Sequence, residues 1–135
     1  MDSRATAIFA NDRYATELSG ITIADCGEHT SLCLMPLTAS HCNARGVAMG
    51  GALYTLADFS AAVAANTDCL GEGDLGWVSL DATIHYLCPA PLGATMQAAC
   101  SPLKTGRTTA LYQTIITNPD NGKRIAIVET TMMRL

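Results

Sequence analysis

Residues 43–58 read NARGVAMGGALYTLAD, and two kinds of chemistry are packed into them. Gly46, Gly50 and Gly51 stand just ahead of an apolar helical stretch. Glycines there permit tight backbone geometry and leave the first helical N–H groups unobstructed, at the positive end of the helix dipole. Such a terminus either binds an anion or polarised carbonyl oxygen, or simply allows a close turn against neighbouring structure. Asp58 is the lone carboxylate of ALYTLADFSAAVAAN. Burying a carboxylate is costly and disfavours its charged form, which suits a general base or nucleophile; a hydrogen bond to a neighbouring loop is the other reading. Asp58 lies eight residues beyond Gly50, roughly 12 Å along a helix axis. One carbonyl group cannot easily touch both on the same helix. A two-fold pair of antiparallel helices brings Gly50 of one copy to Asp58 of the other.

The elements that must hold these residues can be read from hydropathy. Residues 4–18 form an amphipathic pattern ended by Gly20. ITIADCG and TSLCLMPL read as strands joined by a Gly-Glu-His turn, and a loop runs from Thr38 to Ala48. The longest helical pattern covers Gly50 to Thr67, followed by the turn-rich CLGEGDLG. Four strands come next. WVSLDATIHYL alternates Val78, Leu80, Ala82 and Ile84 against Ser79, Asp81, Thr83 and His85. ATMQAACSPL and TTALYQTIIT follow, then the hairpin turn NPDNG and RIAIVETTMMRL. Strands in series with a segregated helix predict an α+β fold with an antiparallel sheet. The helix is apolar almost all round, so a curved sheet wrapped around it is the obvious way to bury it.

Composition narrows the function classes. A chain of 135 residues, 49% hydrophobic and 15% charged, suffices for a single domain, residues 1–135, with a real core. Its net charge of -4 favours neither nucleic acid nor an anionic membrane. No apolar run is long enough to span a bilayer, and the first residues lack the pattern of a secretory signal. The cysteines Cys26, Cys33, Cys42, Cys69, Cys88 and Cys100 form no C-x-x-C pair and no zinc spacing. They read as reduced, packed thiols of a cytoplasmic protein, with no metal or other cofactor implied.

The motif from Asn43 through Gly46, Gly50, Gly51, Leu53 and Leu56 to Asp58 resembles that of the hotdog-fold acyl-CoA thioesterases of the phenylacetate-pathway (PaaI-like) type. The likeness continues through Ser79, Asp81, Pro89, Ala90 and Gly93 and the last two strands, covering about Leu34 to Met133. The resemblance implies a curved antiparallel sheet around a long central helix. It implies a homo-oligomer, a dimer or dimer of dimers, that hydrolyses acyl-CoA. In it the Gly50 N–H polarises the thioester carbonyl. Asp58 of the partner chain attacks or activates water, Asn43 places substrate or water, and Ser79 holds the water. Met49 stands where the family usually has a His, and it can neither donate a hydrogen bond nor change charge. That departure keeps a non-catalytic acyl-CoA binder as the alternative. His41 on the same loop is either a partial substitute or an ordinary loop histidine. Gly51 belongs to the same substrate-binding turn, and one of His85 and Tyr86 lines the acyl site. Arg107, ahead of Lys104 and Arg124, is the candidate for the CoA phosphates.

Overall fold

A computed structural model describes residues 3–68, 71 and 74–135. Helix α1 (Ser3–Phe9) ends where the Asn11 side chain donates to the Ile8 carbonyl, 3.2 Å away. Such a local bond competes with the helix ladder. The chain restarts as one π-helical turn at Tyr14–Leu18, closed by Ser19 N–H on Tyr14 O at 3.0 Å. The single helix expected over residues 4–18 is therefore two short pieces. Gly20 ends the second, with a positive φ of 72°.

Strands β1 (Thr22–Gly27) and β2 (Thr30–Pro36) are joined through Glu28 and His29, both at positive φ, 50° and 63°. This two-residue turn has the handedness that matches strand twist, built here without glycine at either central position. It is held by contact with the end of the main helix: the His29 N–H donates to Thr67 Oγ1 at 2.9 Å, and His29 Nε2 lies 3.2 Å from Asp68.

A short 3-10 turn (Ala39–His41) leads into α2 (Gly50–Ala65). Then come β3 (Trp77–Tyr86), β4 (Thr95–Thr105), β5 (Thr109–Asn118) and β6 (Lys123–Arg134). The strands form one antiparallel sheet in the order β1-β2-β4-β5-β6-β3. The turn after β5 forms as the sequence predicts, with Asn118 Oδ1 accepting from Asp120 N–H at 3.1 Å and Gly122 at φ 69°. The sheet packs its inner face on α2. Leu53, Leu56, Phe59 and Val63 of the helix are buried with Met35, Met96, Ile116 and Val128 of the strands. The alanines of α2, with Ala57, Ala61 and Ala64 fully buried, let the sheet approach its backbone.

Asn66, the residue that closes α2, ties the helix to β3. Its Nδ2 donates to Ala62 O (2.8 Å) and Trp77 O (3.1 Å), and its Oδ1 accepts from Trp77 N–H at 2.8 Å. Replacing Asn66 with Ala orphans part-buried backbone groups at the start of β3, and we expect a loss of about 2–3 kcal/mol of stability, read by urea denaturation. Half of the stretch expected to form a turn-rich connection, residues 69, 70, 72 and 73, and with it Cys69, lies outside the described residues.

The other five cysteines are free. Burial pushes the Cys33 and Cys100 thiols up from 9.0 to about 11, partly opposed by the neighbouring hydroxyls of Ser60 and Ser31 for Cys33 and of Thr114 for Cys100. A raised pKa means that these thiols favour the fold fully below pH 9, and that this contribution is lost as pH rises towards 11. Urea midpoints should therefore fall steeply across that window, and the fall should flatten in a Cys33→Ala/Cys100→Ala variant.

Candidate active site

Helix α2 begins without a side-chain cap, because Met49 at the cap position offers no hydrogen-bonding group of use there. The Met49 N–H donates to His41 O at 2.8 Å, and Met49 O accepts from Ala52 and Leu53. Among the described residues, the Gly50 and Gly51 N–H groups meet no backbone acceptor. The preceding loop is folded by Asn43, whose Oδ1 accepts from the Arg45 N–H (2.9 Å) and the Val47 N–H (3.4 Å). Gly46, at φ 78°, makes that turn possible. The Asn43 carbonyl-side oxygen thus shapes the loop, a structural task in addition to the one the sequence suggests.

His41 is not a spare acid or base. The Thr38 N–H can only donate, so His41 Nδ1 accepts it at 2.9 Å, and the proton sits on Nε2, which donates to Ser19 O at 2.6 Å. Both ring nitrogens are committed to structure.

Asp58 is exposed in the single chain, on an open stripe of α2 shared with Gly51 and Tyr54. The helix that reads as apolar all round leaves this one face uncovered. The Ser79 hydroxyl donates to Asp58 Oδ1 at 3.3 Å and also lies 3.6 Å from Met132 Sδ. A β-bulge creates that contact. The β3–β6 register slips between Ser79 and Asp81, so Ser79 sits opposite Met132 while Ala82, Ile84 and Tyr86 sit opposite Thr130, Val128 and Ala126. These four β6 residues are all buried on the inner face. Ser79 therefore shares a face with Ala82, Ile84 and Tyr86, where simple alternation had placed it on the opposite one. Bulges commonly re-aim a side chain in this way.

Of His85 and Tyr86, the structure turns Tyr86 toward the helix terminus: its hydroxyl donates to Gly50 O at 2.9 Å. His85 falls on the other face of β3, away from Gly50 within one chain. Arg107 lies in the exposed turn after β4, beyond the Thr109–Met133 pair and hence at the Ser79 end of the sheet. Arg124 sits near the Tyr86 end. The structure brings Ser79 to Asp58 and Tyr86 to Gly50. It leaves Asp58 and Gly50 of one chain about two helical turns apart.

Two residues that the sequence reading missed belong here. Asp12 and Asp58 line one cavity of about 280 Å³, and burial, then the Asp58 charge, raise the Asp12 carboxyl above the usual range. Tyr54, one turn before Asp58, has its phenol raised by burial first, then by Asp58 and Tyr86. The spacing of four residues on a helix could have flagged Tyr54; nothing in the sequence ties Asp12 to Asp58. Among the described residues no group of three or more His, Cys, Asp or Glu is placed to hold a metal ion, and no helix is long and apolar enough to cross a membrane.

A six-stranded antiparallel sheet wrapped on one long helix, with the helix start bare and a carboxylate on its open stripe, is the hotdog architecture. The family model of the thioesterase superfamily matches residues 45–125. Acyl-coenzyme A thioesterase 13 of Homo sapiens is 35% identical over 109 residues, 81% of this chain and 76% of that protein. Acyl-coenzyme A thioesterase PaaI of Escherichia coli is 32% identical over 114 residues, 84% of this chain and 77% of that one. The solved structure of E. coli PaaI, from the phenylacetic acid degradation operon, superposes with a TM-score of 0.84 at 27% identity, covering 98% of this chain and 95% of the other. A hypothetical thioesterase from Streptococcus pneumoniae, solved with coenzyme A, gives a TM-score of 0.75 at 26% identity, over 84% and 87%. The chain belongs to the thioesterase superfamily, and within it to the PaaI-like hotdog thioesterases.

Proposed function

We propose that this protein hydrolyses acyl-CoA thioesters to free acid and CoA, in a site shared between two copies of the chain. The Gly50 N–H polarises the thioester carbonyl as charge builds on its oxygen. Asp58 of the second copy attacks the carbonyl carbon or takes a proton from the attacking water, and Ser79 orients that carboxylate or water through its hydroxyl. Asn43 and Gly51 shape the turn that receives the substrate, with Met49 and Tyr86 beside it, His85 at the copy-to-copy face and Arg107 toward the CoA phosphates. The observation that carries the reading is the Asp58–Ser79 contact on the same helix as the uncapped terminus, too far along it to serve that terminus in cis. The unpaired outer edge of β3, with Val78 and Leu80 exposed, supports a homo-oligomer, a dimer or dimer of dimers. The free thiols support a cytoplasmic setting.

Met49, in place of the family's usual His, favours a second reading: a protein that binds acyl-CoA without cleaving it. Thiol release from a panel of short, medium, long and aromatic acyl-CoAs separates the two. Turnover establishes the hydrolase; tight binding without turnover of any member establishes the binder.

A further inference from the structure

We propose that the cavity between the π-helical turn and the start of α2 is the acyl-group site, and that Tyr14 and Leu18 set the size of acyl group it accepts. The proposal rests on the acyl-CoA reading above and adds the substrate-selecting wall. The cavity, about 250 Å³, is bounded by Tyr14 and Leu18 on one side and by Met49, Gly51, Ala52 and Thr55 on the other. Met49 and Gly51, on either side of Gly50, put it beside the helix terminus where a thioester carbonyl would sit, while Gly50 itself lines a second cavity with Tyr86. Tyr14 and Leu18 are 67% and 76% exposed, a large apolar surface left open by a turn that buries Ala15 in the core.

The wall is fixed in place by the same residue that fixes the carbonyl-binding end. His41 donates from Nε2 to Ser19 O at the close of the π-helical turn, and its own carbonyl holds the Met49 N–H. The distance from Leu18 to the Gly50 peptide is thus set through a single buried side chain. One-turn π-helices are rare and recur at functional sites, since they re-aim the side chains they carry. Size then decides the ligand. Pockets for drug-sized molecules run from about 300 Å³ upward, so this one suits a short or medium aliphatic acyl group or a single aromatic ring. At its far end the cavity meets the neighbouring one through Tyr14 and Thr55, and that second space is lined by Asp12 and Asp58. Carboxylates close the apolar path, which penalises a longer chain.

The test is calorimetric binding of S-alkyl-CoA thioethers of increasing length, which cannot be hydrolysed, to the full-length wild type, Leu18→Ala, Leu18→Trp and Tyr14→Ala, with hydrolysis of the matching acyl-CoAs measured in parallel. Leu18→Trp should weaken S-hexyl-CoA relative to S-methyl-CoA at least about tenfold, the lower end of what one methylene is worth in an apolar pocket. Leu18→Ala and Tyr14→Ala should move the preference toward longer chains. Equal effects on every length, no effect, or no thioether binding by the wild type would overturn the proposal. A changed sedimentation coefficient with an unchanged length preference would also overturn it and make this face a contact between copies. Length-dependent binding without hydrolysis of any acyl-CoA would uphold the cavity and sink the hydrolase reading; hydrolysis with unaltered length preference would do the reverse.

Discussion

Asp58→Asn should lower kcat for thioester hydrolysis about a thousandfold, the scale of losing a general base or nucleophile, while the protein stays folded. The substitution keeps the size of the side chain and removes its charge. Asp58 is exposed and its contact with Ser79 is long, 3.3 Å, so little folding energy is attached to it. The Asn side chain still presents an oxygen to the Ser79 hydroxyl. Thermal unfolding should therefore be near wild type, which makes the lost rate a statement about chemistry. The same variant carries an internal check. Asp58 raises the Asp12 carboxyl and the Tyr54 phenol, in each case as a second cause behind burial. Both groups should titrate at lower pH once the charge is gone, which NMR can follow residue by residue. A variant with full activity would remove Asp58 from the mechanism.

Gly50→Ala should cost about a hundredfold in kcat, the scale of disturbing one oxyanion donor, with only a small change in stability. A Cβ on Gly50 would fall 2.8 Å from the Tyr86 hydroxyl oxygen and 2.9 Å from its Cζ. These atoms are the far end of a flexible, half-exposed side chain, so the ring swings away and the fold survives. What goes is the Tyr86–Gly50 hydrogen bond and the clear approach to the Gly50 N–H. Alanine also gains up to about 1 kcal/mol over glycine within a helix, which offsets the lost contact. Gly51→Ala is the matched control for stability: nothing lies within 4 Å of its added Cβ, so it should show the helix gain alone. Equal kcat in Gly50→Ala and wild type would mean that the carbonyl is polarised elsewhere.

The sheet and the central helix were legible because their signals are periodic and local. β5 alternates cleanly, and β4 and β6 do so over part of their length; Asn118 to Gly122 has unmistakable turn chemistry, and α2 is a long apolar run. The fixed rise of a helix was enough to place Gly50 and Asp58 too far apart for one carbonyl. Three features escaped for physical reasons. The break after α1 depends on one side chain, Asn11, outbidding the helix for the Ile8 carbonyl, and amphipathic spacing is blind to that competition. The exposure of Asp58 depends on how far the sheet wraps, a tertiary quantity that the uniform apolarity of α2 conceals. The inward turn of Ser79 depends on an extra residue in β3, whereas alternation assumes that none is inserted. Ser79 entered as a candidate through resemblance to a family; periodicity alone would have sent it to the wrong side.

That extra residue divides β3 into two halves of opposite phase. Before it, Trp77 and Ser79 occupy odd positions on the inner face; after it, Ala82, Ile84 and Tyr86 occupy even ones. Leu80 is the unpaired residue, with Ser79 and Asp81 facing consecutive residues of β6. Exchanging Leu80 for another side chain leaves the phase intact. Deleting it would set Ser79 directly before Asp81 against Met132 and Thr131, each half keeping its own face, so that Ser79 stays at Asp58 and the Trp77 backbone stays in the Asn66 clamp. Evolutionary drift and protein engineering alike should find this stretch permissive to spelling changes and, at Leu80, to the loss of one letter.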